Sequence, residues 1–470
     1  MPMQPRHEIP ELSNVDEGFA WMESLTNLER GGYRPREYRL ERMAELLRDF
    51  GSPHLGLPTI HIAGSKGKGS TAALVASGLR ALGFRAGMYS SPHVSDYRER
   101  IRVNGEFADE EILLVQLQRI YRAIQPLQHH ADAGRRLPTT FELLTLLAFL
   151  VFRSQQCDWI VLETGLGGRL DATNLCDPDL CIITPIELEH TEYLGHTLPE
   201  IAREKAGILK SGVPAVISPQ SVEVDRTLSI CADERAVPLR RTAELISVEH
   251  IRTESTRTTA MLKERSPDPR PLTGPESLTG PEPLTGSNRA SSKEHALQLS
   301  MAGTAQAENA ATAFAALRSL FPEADPAHIL AGFSTARIPG RAEHIPGNPP
   351  VLLDGAHTAG SMQRLAETIE SLTRKPRVLI FGSVEGKPIE PMAEALDGLA
   401  DYVIVSKPGS FKPSNPDEIA RVFSNFQAPV DLLPDPEDAL ACARRLAGDN
   451  GSIIVTGSFY MVCEIRSLIV

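Results

Sequence analysis

The stretch HIAGSKGKGST, residues 61–71, follows the apolar run LPTIHIA and precedes the helical run AALVASGLRALG. A strand, a glycine-rich turn and a helix in that order commit this part of the chain to an α/β layout. In such a turn several backbone N–H groups stay unpaired and converge at the helix N-terminus, where the helix dipole adds to them. That arrangement suits a phosphate, and Lys68 can add a point charge. The spacing departs from G-x-x-x-x-G-K-[ST], because Gly69 follows Lys68 and the serine comes one place later, at Ser70. The alternative is a tight turn with solvent-facing lysines.

Around this motif, short apolar runs alternate with amphipathic helical ones. Residues 58–63, 84–90, 158–163, 179–184 and 213–218 read as strands, and 69–83, 109–124, 139–155 and 198–211 as helices. This alternation predicts an α/β fold with a mostly parallel sheet. A second set of strands (350–354, 377–382, 401–406, 430–434, 452–457) alternates with helices at 361–373, 389–399, 416–425 and 435–447. It predicts a smaller, Rossmann-like α/β C-terminal domain. The Pro- and Gly-rich segment 334–350 marks the joint, giving domains 1–338 and 339–470. Residues 253–297, with the near-repeat PLTGPESLTGPEPLTG, read as a loosely ordered, dispensable surface insertion.

Composition narrows the function. A formal net charge of −12 argues against a general nucleic-acid or anionic-membrane binder. The six cysteines form no C-x-x-C pair and no zinc-like spacing, so they read as reduced thiols in a reducing compartment. The start of the sequence has no apolar signal core, and the run LLTLLAFLVF (143–152) is too short to span a bilayer. The expectation is a cytoplasmic, monomeric protein.

Three side chains stand out. Glu163 ends a central strand and precedes a glycine-rich loop, GLGG. Ligands of open α/β sheets sit outside the carboxyl ends of the strands, so Glu163 and the 61–71 turn share one edge. A carboxylate there suits Mg²⁺ on nucleotide phosphates; a loop-bonding role is the alternative. His190 follows another strand end. After it, Thr197 to Glu200 has capping-box spacing and starts a helix. Lys205 falls in the middle of that helix's apolar arc, with Leu198, Ile201, Ala202, Ala206, Ile208 and Leu209. A lysine there needs a partner or a task, unless it snorkels to solvent.

These segments together resemble the folylpolyglutamate synthase/dihydrofolate synthase branch of the Mur ligase superfamily. The resemblance is carried by HIAGSKGKGST, YSSPHVSDYRERIRVNG (89–105), ETGLGGRLDATN (163–174), EHTEYLGHTLPEIAREKAGI (189–208), IPGRAE (338–343), LLDGAH (352–357) and VTGSFYMVCEIR (455–466). It implies an ATP-dependent ligase. ATP phosphorylates a carboxylate of a folate or of dihydropteroate, and the amine of L-glutamate displaces phosphate from the acyl phosphate. It further implies that Gly64, Ser65, Lys66, Gly67, Lys68, Gly69 and Ser70 hold the ATP phosphates. Ser91 and Glu163 hold one Mg²⁺ and His190 a second, Lys205 is carbamylated, and Asn309, Arg341, Asp354 and His357 contact ATP. YSSPHVSDYRER would be a mobile loop at the pterin pocket.

Four positions depart from the family pattern. Ser65 and Lys66 replace Thr and Asn in the turn, Ala305 replaces a His, and Thr358 replaces an Asn after DGAH. One rival reading is a Mur-type ligase acting on a cell-wall nucleotide precursor. Those carry an extra substrate domain before the phosphate turn, where this sequence has residues 1–60. Another is a P-loop NTPase without ligase chemistry, against which Lys205 and the second α/β domain count.

Overall fold

The computed structural model describes residues 11–26, 40–128, 137–254, 257–265, 293–409 and 413–470. Its largest sheet has eight strands: β1 (Thr59–Ala63), β2 (Ala86–Tyr89), β3 (Ile101–Val103), β4 (Glu106–Phe107), β5 (Trp159–Glu163), β6 (Leu180–Ile183), β7 (Ala215–Ile217) and β8 (Leu239–Arg241). The order is β4-β3-β2-β5-β1-β6-β7-β8, parallel except where β3 pairs with β2 and β4. Strands buried on both faces read as continuous apolar runs. That is why 58–63, 158–163 and 179–184 were legible as strands, and β1, β5 and β6 lie side by side at the sheet centre.

One face of this sheet is covered by the helix Thr140–Ser154, apolar on all sides and started by a Thr139–Glu142 capping box. The other face carries the helices Lys68–Ala81, Thr304–Leu320 and Pro326–Phe333. They approach so closely that a Cβ on Gly78 would lie 2.4 Å from a Leu317 methyl carbon. Among the described residues no helix is long and apolar enough to cross a membrane.

The reading of 253–297 as one dispensable insertion is wrong at both ends. β9 (Ile246–Glu254), β10 (Arg257–Glu264) and β11 (Lys293–Leu299) form an antiparallel sheet. Thr258, Ala260 and Leu262 alternate inward from β10, and Leu297 and Leu299 from β11. Ala260, Leu262, Leu297 and Leu299 join the same core as Ile60, Leu74 and Phe314. A fully buried leucine contributes roughly 1.5–3 kcal/mol, so these strands are part of the fold. The near-repeat at 271–286 lies outside the described residues.

The C-terminal domain holds a six-stranded sheet of β12 (Glu343–Ile345), β13 (Val351–Leu353), β14 (Arg377–Phe381), β15 (Tyr402–Val405), β16 (Val430–Leu432) and β17 (Ser452–Thr456). Its order is β12-β13-β17-β14-β15-β16, parallel apart from β12. Apolar clusters cover both faces.

Candidate active site

The carboxyl ends of β1, β5 and β6 open on one edge, and each delivers part of a charged cluster. β1 runs into the 64–70 turn. Gly64 (φ 151°) and Gly67 (φ 81°) hold backbone angles that favour glycine. A Cβ at Gly67 would also lie 2.4 Å from Asn309 Oδ1, so Asn309 is brought against the turn from the helix Thr304–Leu320. The amides of Ser65 and Lys66 donate to the Pro185 carbonyl at 2.9 and 3.1 Å. That leaves the first-turn amides of the helix Lys68–Ala81 as the outward donors. Lys68 Nζ donates to the Gly64 carbonyl at 3.0 Å.

β5 ends at Glu163, which is buried. Its Oε2 accepts the Ser91 amide at 3.2 Å and faces Gly69, where a Cβ would lie 3.3 Å away. Burial raises its pKa, opposed by the Lys68 charge, the Ser91 hydrogen bond and the Arg341 charge. Ser91 thus meets Glu163 through its amide.

Beyond β6, His190 adopts a left-handed backbone (φ 47°) and is exposed. The capping box at Thr197 and Glu200 forms as the spacing predicts, but the helix is shorter than expected. It ends at Lys205 and tightens into a 3-10 turn at Ala206–Ile208. Lys205 is buried and does not snorkel. Its Nζ donates to the Gly64 carbonyl at 2.7 Å and to Glu189 Oε1 at 2.9 Å. Burial lowers its pKa to about 8 against the pull of Glu189. Glu189 is the partner that sequence reading missed. Lys205, Lys68 and Lys66 overcome its own burial and bring its pKa to about 2.

The C-terminal domain faces this edge. Arg341 lies over the Phe459 ring at 4.6 Å, and a cavity between the domains is lined by Gly69, Ser91, Arg102, Glu163, Arg341 and Phe459. Asp354 accepts the amides of Ala342 and Ala356, both at 2.8 Å. His357 Nδ1 donates to the Gly355 carbonyl at 2.8 Å, and burial plus the charge of Lys66 lower its pKa to about 3. Arg364 bonds Glu187 at 2.9 Å across the cleft, a pair also absent from the sequence reading. Thr358, the departure after DGAH, is the N-cap of the helix Ala359–Leu372.

Among the described residues no three His, Cys, Asp or Glu side chains converge as a metal cage. Mg²⁺ does not require one, since it keeps waters and phosphate oxygens and takes one or two carboxylates. Glu163, buried beside Gly69 at the mouth of the turn, fits that demand.

Residues 62–220 match the Mur ligase middle domain, and residues 340–459 match the Mur ligase glutamate ligase domain. The Bacillus subtilis dihydrofolate synthase/folylpolyglutamate synthase is 32% identical over 439 residues, covering 91% of this chain and 94% of the relative. The chain belongs to the folylpolyglutamate synthase/dihydrofolate synthase family. Another family relative, from Halobacterium salinarum, is named a probable bifunctional folylpolyglutamate synthase/dihydropteroate synthase. It is 34% identical over 445 residues, which are 94% of this chain and 50% of that protein, so the chain spans about half its length. Among solved structures, Mycobacterium tuberculosis folylpolyglutamate synthase complexed with ADP superposes with a TM-score of 0.81 at 27% identity, covering 97% of this chain and 99% of that one. Escherichia coli FolC in complex with DHPP and ADP gives a TM-score of 0.73 at 27% identity, covering 98% and 99%.

Proposed function

We propose that this chain is an ATP-dependent ligase that adds L-glutamate to folates, and to dihydropteroate, through an acyl phosphate. What supports this reading above all is the pairing of a phosphate-suited turn and a buried carboxylate on one wall with Arg341 on the other, around a common cavity. The family relationship supports it over 91% of the chain.

In this mechanism the first-turn amides and Lys68 cradle the ATP phosphates, with Ser65, Lys66 and Asn309 alongside. Glu163 and Ser91 would hold one Mg²⁺ and His190 a second, and the metal would supply charge neutralisation at the transferring phosphoryl group. A substrate carboxylate oxygen forms the new P–O bond as ADP leaves. The neutral amine of glutamate then attacks the acyl carbon, phosphate departs with the electron pair, and the amine gives up a proton. No protein nucleophile is needed, because positioning and charge carry the catalysis. Arg341, Asp354 and His357 complete the nucleotide site from domain 339–470, facing domain 1–338.

Carbamylation of Lys205 belongs to the same proposal. Its burial lowers its proton affinity and so enlarges the fraction of neutral amine, the form that captures CO₂ and releases one proton. The product would be an anion beside Glu189, and a metal cation held there would compensate both. We place the enzyme in the cytoplasm as a monomer. Six unpaired cysteines support the first, and a cleft with both walls from one chain supports the second.

The test is ADP release measured with and without glutamate, crossed against dihydropteroate and tetrahydrofolate. Glutamate-dependent turnover with one or both is expected. Turnover with a UDP-linked precursor and with neither pterin substrate would overturn the reading.

A further inference from the structure

Arg466, in the last turn of the helix Phe459–Ser467, joins two segments that both reach the active site. Its Nε donates to both oxygens of Glu343, at 3.2 and 3.0 Å, and its Nη2 donates to Glu343 Oε1 at 3.0 Å. Nη1 donates to Ser95 Oγ at 2.8 Å and lies 3.9 Å from Glu99 Oε1. Neither acid is idle. Glu343 Oε2 accepts the Gly340 amide at 2.8 Å, immediately before Arg341. Glu99 accepts the amides of Val94 and Ser95, at 2.7 and 3.1 Å.

The 91–95 loop therefore behaves as a strap. At one end the Ser91 amide holds Glu163. At the other, the Val94 side chain is buried in the C-terminal domain's core with Val351, Leu353 and Val462. Beside it, Cys463 Sγ lies 3.9 Å from the His93 carbonyl. The Arg466 and Glu99 side chains are only 14% and 8% exposed, so their approach is shielded from solvent, while the bond to Ser95 lies at the surface. A guanidinium has the fork geometry to serve two acids at once, which a lysine lacks.

We propose that Arg466 is a positioning residue for ligation: it ties the 91–95 loop to the 340–343 segment, so that Ser91 and Arg341 face Glu163 together. This rests on the ligase reading above. Without the guanidinium, Glu343 loses its cation and Glu99 keeps only the Arg102 charge on its own side, so nothing ties the strap to the C-terminal domain at this point.

The experiment uses the full chain as wild type, Arg466→Gln, Arg466→Lys and the exchanged pair Glu343→Arg/Arg466→Glu. Glutamate-dependent ADP release is measured beside the iodoacetamide alkylation rate of native Cys463, located by mass spectrometry, and thermal unfolding. Arg466→Gln is expected to fold, to lose about tenfold in kcat, and to alkylate at Cys463 about fivefold faster as the strap opens. Arg466→Lys, which keeps one cation, is expected to lose about threefold. The exchanged pair restores the bond inside the C-terminal domain but sets a carboxylate against Glu99, so it stays as impaired as Arg466→Gln. Recovery of wild-type turnover by the exchanged pair would reduce Arg466 to a staple within its own domain and overturn the proposal. So would wild-type turnover and unchanged Cys463 alkylation in Arg466→Gln. If Arg466→Gln does not fold, wild-type turnover in Arg466→Lys overturns it equally. Failure of the ligase reading is distinct, because it is seen in the unsubstituted chain as turnover that ignores glutamate.

Discussion

At the carboxyl edge of the eight-stranded sheet, Glu163, Lys68, Lys205 and Glu189 crowd around the Gly64 turn, and Glu163 receives one backbone amide and no side-chain donor among the bonds described. At the facing edge of the six-stranded sheet, Asp354 gives both oxygens to backbone amides and His357 gives Nδ1 to a carbonyl. Both edges come from buried parallel strands, and both carry a carboxylate whose pKa burial raises. The difference lies in how the charge is compensated. An acid satisfied by its own loop holds that loop in shape, whereas an acid left with spare lone pairs in a low-dielectric cleft favours an incoming cation. In the proposed mechanism the first edge is accordingly the chemical one, and the second sets the position of Arg341.

The sharpest way to break this contrast is Glu163→Gln. The amide oxygen can still accept from Ser91, so the fold stays, but the charge offered to Mg²⁺ is gone. Turnover is expected to fall roughly a thousandfold or more with an unchanged melting temperature; near-normal turnover at saturating Mg²⁺ would return Glu163 to a loop-bonding role. Next comes Lys205→Ala, expected to lose about a hundredfold and to regain part of it with added acetate. Lys66 and Lys68 still compensate Glu189, so this variant folds. Lys205→Arg keeps a permanent charge and is expected to show no rescue; wild-type turnover from it would end the carbamate account.

On the second edge, Asp354→Asn retains one acceptor and places a donor against a backbone N–H. A loss of about tenfold is expected, from misplacement of Ala342 and its neighbour Arg341. A loss matching that of Glu163→Gln would erase the distinction between the edges. The smallest effects on turnover belong to the small sheet. Leu262→Ala is expected to cost about 2–5 kcal/mol of stability by calorimetry while kcat is kept. Deleting residues 271–286 is expected to leave both unchanged, and a collapse in soluble yield would show that this segment has a structural role of its own.

The strands were legible because buried parallel strands are short, unbroken apolar runs between glycines and prolines, as in WIVLE before TGLGG. The β10 and β11 strands were hidden by their neighbours. A window spanning 253–297 is dominated by Pro, Gly, Thr and Ser, although Thr258, Ala260 and Leu262 alternate as a half-buried strand should. Glu163 and Lys205 could be found from local pattern, one at a strand end and the other on an apolar helical arc. Their partners could not. Glu189 lies 16 residues from Lys205, and Ser91 lies 72 from Glu163, so only tertiary structure pairs them. For Glu189 the signal is only partial: a buried lysine demands a carboxylate, but Glu192 lies nearer the helix in sequence, and it is the fold that brings Glu189 to Lys205.

The central claim is that the substrate carboxylate is phosphorylated before the amide forms. The direct measurement uses dihydropteroate or folate labelled with ¹⁸O in its carboxylate, with ATP and glutamate in unlabelled water, and reads the mass of the phosphate released. The account predicts that each phosphate carries one ¹⁸O taken from the carboxylate. Unlabelled phosphate, gaining ¹⁸O only when the water is labelled, would mean that ATP is simply hydrolysed and would contradict it.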